Sequence, residues 1–201
     1  MTPEQGPSPQ LGLRGLVVPL VLVLLVGTAL FAWVILSAVE RRNVDISWAG
    51  PVTCKGTEVR NQRLDGHRVP VVPMRESMDC TLRVRVTSHA QWPVRLERVV
   101  LPYLGPSGRA AIRSLELAGH PVRRKHAVDA IFDVDHTLRP GATQEIDIHM
   151  EFRPGGCNSP GSVTTWNDLP TIRVSSLGRS GTQAAEEIFA VRGTTDSSCD
   201  G

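Results

Sequence analysis

The chain has 201 residues, room for one ordinary domain with an appendage. Its 22 Lys+Arg against 20 Asp+Glu leave a net charge of +2, which singles out neither an acidic nor a basic partner class. A hydrophobic share of 41% excludes an intrinsically disordered chain, and 18 Gly with 15 Pro exclude a coiled coil or a soluble helical bundle.

Residues 1–15 form a short polar tail, too small to fold. From Leu16 to Val39 there are 24 residues without a charge, bounded by Arg14 and by Glu40, Arg41 and Arg42. As a helix this run reaches ~36 Å, enough to cross a hydrocarbon core of ~30 Å. Gly27-Thr28-Ala29 is a small-residue site of the kind found at signal cleavage. The apolar core of a signal peptide usually stops after about 7–15 residues, however, and this one continues. The expectation is a single uncleaved transmembrane helix over 16–39, with the tail cytoplasmic. The flanking arginines favour the opposite orientation. Against them stands a domain of the remaining residues, 43–201, and long domains translocate largely regardless of charge.

Beyond the anchor the pattern alternates. Val44–Trp48 opens the series. Residues 55–78 hold poor periodicity and read as a long loop or hairpin insertion. In Asp79–Thr87, Cys80, Leu82, Val84 and Val86 alternate with Thr81, Arg83, Arg85 and Thr87, a half-buried strand with a basic outer face. Val94–Leu101 is a second strand, Pro102–Gly108 a loop, and Ala111–Leu117 a weaker strand. Val128, Ala130, Phe132, Val134 and Leu138 share one face opposite Asp129, Asp133 and Asp135. After an Arg139-Pro140-Gly141 turn, Ile146, Ile148, Met150 and Phe152 point inward and Glu145, Asp147, His149 and Glu151 outward. Pro154–Pro160 is a loop. Thr171–Ser176, a Gly178–Gly181 turn and a strand around Glu187–Arg192 close the series. Seven to eight short strands between Gly/Pro turns predict an all-β fold, an antiparallel immunoglobulin-like β-sandwich in outline, without the Cys…Trp…Cys spacing of true immunoglobulin domains.

The four cysteines, Cys54, Cys80, Cys157 and Cys199, all follow the apolar run, and none forms a C-x-x-C pair. Widely spaced and even in number behind an export signal, they read as two disulfides in an oxidising compartment. Three connectivities are open, and Cys54–Cys80 with Cys157–Cys199 is the favoured one, because each closes a stretch with long irregular portions. The domain is therefore expected outside the membrane. Of the 22 cations 20 are Arg, residue usage that suits a GC-rich bacterial, even actinobacterial, source.

Charge is divided along the chain. Lys55 to Lys125 carries 14 basic against 6 acidic residues, and His126 onward 5 against 11. His120-Pro121-Val122-Arg123-Arg124-Lys125-His126 is a basic loop suited to a solvated surface or an anionic partner. Nucleic-acid binding is not expected, since no aromatics interleave with the cations. Asp133, Asp135, Asp147 and His149 would approach one another if their strands formed a hairpin, a set able to hold Ca²⁺ loosely. Like charges opposed on a sheet are unfavourable, so pairing with the arginine-rich face is preferred and no metal is assigned.

Ile131-Phe132-Asp133-Val134-Asp135-His136-Thr137-Leu138 resembles motif I of the haloacid dehalogenase-like phosphatases. The resemblance implies Asp133 as nucleophile, Asp135 as general acid and Mg²⁺ between carboxylates. The family's later Lys and acidic pair have no counterpart: no Lys follows Lys125, and only 63 residues follow Leu138. These aspartates are expected instead on a solvated strand face. The sequence thus predicts no catalytic residues, no cofactor and no small-molecule substrate. It predicts a non-enzymatic, membrane-anchored extracytoplasmic module that binds or assembles with another cell-envelope protein.

Overall fold

Twenty-odd apolar residues with no polar stripe have no face to turn towards water, and they form one uninterrupted helix. The computed structural model describes residues 13–124 and 126–199, which divide into two compact units between Ser37 and Ala38. Helix α1 runs over Leu13–Arg42. Leu20 to Leu25 are exposed one after another, so the apolar surface covers the whole circumference. Val18–Arg42 is long and apolar enough to cross a membrane. The Thr28 hydroxyl donates back to the carbonyls of Leu24 and Leu25 at 3.0 and 2.9 Å, which lets a polar side chain sit in an apolar helix. Of the tail expected over 1–15, residues 1–12 lie outside the described residues and 13–15 begin the helix.

The second unit is built of strands. In chain order they are β1 Val44–Trp48, β2 Thr53–Lys55, β3 Arg60–Leu64, β4 His67–Pro73 and β5 Asp79–Ser88. Then come β6 Val94–Leu101, β7 Ile112–Arg113, β8 Glu116–Leu117, β9 His120–Pro121 and β10 Ala130–Leu138. The last are β11 Thr143–Phe152, β12 Val163–Trp166, β13 Thr171–Ser176, β14 Arg179–Ala184 and β15 Phe189–Arg192. The first sheet has the order β1-β5-β11-β8-β9, with β2 also on β5 and β7 also on β11. The second is β10-β6-β13-β14 and the third β12-β15-β4-β3. All pairings are antiparallel except β15 with β4.

Alternation places Leu82, Val84 and Val86 of β5 beside Ile146, Ile148 and Met150 of β11 on the inner face of the first sheet. They share one core with Leu96 and Phe132 from the second sheet and with Phe189 and Val191 from the third. This is a β-sandwich, its three sheets packed on one core. Val69, Val71 and Ala190 make a small separate cluster on the other side of the third sheet.

The structure joins Cys54 to Cys80 and Cys157 to Cys199, with Cα atoms 4.0 and 4.9 Å apart. The first pair is directly opposed across β2 and β5. The second ties the C-terminal segment to the loop after β11, where the Asn158 amide also donates to the Ser197 carbonyl at 2.7 Å.

Several local expectations are corrected. The Arg139-Pro140-Gly141 turn does not close a hairpin; it carries the chain from the second sheet (β10 on β6) to the first (β11 on β5). The hairpin insertion read over 55–78 is present, by contrast, as β3–β4, turned at Asp65-Gly66 with φ of 48° and 86°, a left-handed geometry that glycine enters freely. Strands β12 and β14 were not legible, and Gly178–Gly181 is a turn only at its start, since Arg179 already belongs to β14. Both are sheet edges with little apolar alternation. Val128 is exposed because it precedes β10, whose first residue is Ala130, and Val134 is half-buried because β10 changes phase through a bulge between Asp133 and His136.

Candidate functional site

The phosphatase-like aspartates sit at that bulge. Two residues of β10, Val134 and Asp135, stand opposite Glu97 of β6, and Asp135 takes φ 46°. The bulge turns both carboxylates outward onto a cationic face. Arg95 Nε lies 2.5 Å from Asp135 Oδ1, while Arg98 Nε and Arg123 Nη1 lie 3.2 and 3.3 Å from Asp133 Oδ1. The hydrogen bond from Arg95, and then its charge, hold the Asp135 carboxyl below the usual range. Glu97 beside them accepts from Ser180 at 3.0 Å and Arg173 at 2.9 Å. Burial pushes the Glu97 carboxyl up, but the Ser175 and Ser180 hydroxyls and Arg173 together bring it below its ordinary value.

The other expected cluster is dispersed. Asp147 and His149 belong to the first sheet, away from Asp133 and Asp135 in the second. Arg83 Nε holds Asp147 Oδ1 at 2.7 Å and Arg85 holds Glu145 at 3.0 Å, each across the β5–β11 register. That hydrogen bond keeps the Asp147 carboxyl below its usual range. His149 meets the Thr81 hydroxyl at 3.4 Å. Among the described residues, no three His, Cys, Asp or Glu side chains are grouped as ligands for one ion. The uneven charge along the sequence is thus folded back on itself: basic β5 and β6 lie beside acidic β11 and β10. Of the basic loop, Lys125 lies outside the described residues and Arg123 is spent on Asp133.

A different place gathers apolar surface. Tyr103, Val128, Trp166 and Ala110 line a cleft of about 850 Å³, whose polar edge includes Arg109, Thr165 and Asp168. Tyr103 is 62% exposed and stands at φ 63°, unusual for a bulky residue. Its backbone is fixed there: the Tyr103 amide donates to Asp129 Oδ1 at 2.9 Å, and the Gly105 amide to the Val128 carbonyl at 2.8 Å. A Cβ on Gly105 would come within 2.5 Å of the carbonyl oxygens of Ala127 and Asp129, so only glycine permits the two segments to meet. The Trp166 indole donates to the Pro102 carbonyl at 3.0 Å and its ring lies 5.7 Å from Phe189. Trp166 lies on β12, an edge strand with one strand partner among the described residues.

Arg153 underpins the same loop. It is 4% exposed, and its Nη2 donates to the carbonyls of Gly105 and Ile112 at 2.5 and 2.8 Å. Burial, and then the neighbouring charge of Arg113, lower its pKa. A buried cation without a carboxylate is costly, and here two backbone carbonyls accept its hydrogen bonds. Sequence reading placed Tyr103 only within a Pro/Gly loop. Its one available signal was being the single tyrosine of the chain.

No protein-family model matches the chain. No curated protein matches it either. Among solved structures it is similar to the Pseudomonas fluorescens alkylpurine DNA glycosylase AlkC bound to DNA containing an abasic site analog, at 16% identity and a TM-score of 0.31. That likeness covers 75% of this chain but 30% of the glycosylase, so the chain spans under a third of that protein's length. It is also similar to the ASH/PapD-like domain 7 of human CEP192, at 13% identity and a TM-score of 0.30, over 70% of this chain and 85% of that domain. At such scores neither likeness bears on function.

Proposed function

We propose that the chain is a single-pass membrane protein with its tail at 1–15, its anchor at 16–39 and a β-sandwich over 43–201 outside the membrane. In this reading it is a non-enzymatic module of a bacterial cell envelope that holds an extended segment of another envelope protein. The apolar helix supports the anchor, and the two disulfides support an oxidising compartment. The observation that carries the binding role is Tyr103, exposed and conformationally fixed at the mouth of an apolar cleft beside edge strand β12. An edge strand offers backbone groups to an added strand, and the cleft offers a place for its apolar side chains.

A photo-crosslinking residue placed at Val128 in living cells tests this reading. A discrete adduct at Val128 is expected, absent from a control at Arg63 and lost when Tyr103→Ala is added. Equal labelling at both positions, or none at Val128, would remove the cleft as the binding site.

A further inference from the structure

The turn of chain that follows the apolar run is clamped to the domain by one buried carboxylate. Glu40 is 2% exposed, and its Oε2 accepts the backbone amides of Gln91 and Trp92 at 2.7 and 3.2 Å. The Asn43 carbonyl accepts the His89 amide at 2.7 Å, and the Arg41 carbonyl accepts Gln183 Nε2 at 3.0 Å. The β5–β6 loop is therefore held at the level where the uncharged run stops, one residue after Val39. Trp92, in that loop, is 49% exposed. A second turn joins this end: the Gly141 amide donates to the Ser88 carbonyl at 2.9 Å and the Ser88 amide to the Ala142 carbonyl at 2.9 Å, which brings in Arg139. Arg42, His89 and Arg139 are all exposed, whereas the Glu40 carboxylate is buried in the clamp.

We propose that Trp92 with Arg42 and Arg139 forms a contact patch for anionic phospholipid, so that this end of the domain rests on the bilayer crossed by α1. The inference rests on the membrane-anchor reading above and adds to it a lipid class and a contact surface. Indole rings settle at the headgroup level because one part is apolar and the N–H is polar. Guanidinium groups at the same level pair with lipid phosphate, and the attraction depends on headgroup charge. The carboxylate that would repel those headgroups is withdrawn into backbone hydrogen bonds. The unusual placement of cations after the apolar run, which runs against the orientation rule, then has a use outside the membrane.

The test uses the full chain reconstituted into vesicles of phosphatidylglycerol or of phosphatidylcholine, each doped with lipid brominated near the head of its acyl chain. The fluorescence of Trp92 is isolated as the difference between the native chain and Trp92→Phe. Quenching of this component in phosphatidylglycerol is expected, with its loss in the paired variant Arg42→Gln/Arg139→Gln and in phosphatidylcholine. An unquenched Trp92, or quenching equal in both lipids and untouched by the arginine variant, overturns the proposal. Alkaline carbonate extraction of the same vesicles separates the two readings. A chain that washes off defeats the anchor itself, whereas a chain that stays embedded with an unquenched Trp92 defeats the lipid patch alone.

Discussion

Asp133 and Asp135 acquire their surroundings from one extra residue. Without the bulge, strict alternation would place both on one face at equal depth; with it, Asp135 swings to Arg95 and Asp133 to Arg98 and Arg123. A nucleophilic carboxylate needs an open approach to phosphorus, and three guanidinium groups fill that space with hydrogen bonds to the acids themselves. Asp133→Asn is accordingly expected to shift stability by no more than ~1 kcal/mol, as for an exposed ion pair. Thermal unfolding in detergent measures it. Assays of phosphate monoesters with and without Mg²⁺ should show no turnover in either chain. Turnover present in the native protein and abolished in Asp133→Asn would defeat this reading. The Arg95–Asp135 and Arg83–Asp147 pairs set an acid dependence. Asp135 and Asp147 are depressed in the folded state, so their stabilisation is full above the unfolded carboxyl value of about 4 and is lost as pH falls through the folded values. The melting temperature should therefore drop below about pH 4. The drop should shrink in Arg83→Gln/Arg95→Gln, and an unchanged drop would assign it to other groups.

At the level of elements, legibility followed burial. Strands β5, β6, β11 and β13 announced themselves because one face of each is packed in the core: Cys80, Leu82, Val84 and Val86 on β5 leave no other phase open. Edge strand β14, Arg179–Ala184, has hardly an apolar residue to show, since its register with β13 is held by backbone hydrogen bonds. Pairing between distant strands was equally silent. Nothing in the Arg139-Pro140-Gly141 turn says that it crosses between sheets, although the charge pattern says which partner suits: the acids of β11 need the arginines of β5. The cleft was invisible because it depends on two loops meeting at Gly105. Its stability should hinge on Arg153, whose removal would take a buried donor from the carbonyls of Gly105 and Ile112 and leave a gap beneath the loop. Arg153→Met is expected to cost ~2–4 kcal/mol. Crosslinking at Val128 should fall with it well below the global melting temperature. A neutral Arg153→Met would mean that the loop is held by its backbone contacts alone.

Taken as a whole, the molecule makes one compartment-level commitment that ties together the anchor and the cysteines. A cytosolic domain would keep four thiols reduced, and the chain would give up two long cross-links. On the chain-entropy model, closing loops with sequence separations of 26 and 42 residues stabilises by ~3.5 and ~4 kcal/mol. The second bond also anchors the segment beyond β15, adding a covalent tie to its hydrogen bonds with Met74, Glu76, Asn158 and Ser162. In the proposed reading export is thus a condition for full stability, and topology can be read through it. In intact cells stripped of their wall, added protease should remove the domain at 43–201 and leave an N-terminally tagged fragment of tail and anchor. Alkylation before reduction should leave all four cysteines unlabelled. Cys157→Ser/Cys199→Ser should melt earlier and should release the C-terminal segment to limited proteolysis first, before the sandwich is cut. A protected domain carrying four alkylated thiols would place it in the cytosol, in line with the arginines at 41 and 42, and would defeat the envelope role together with the orientation.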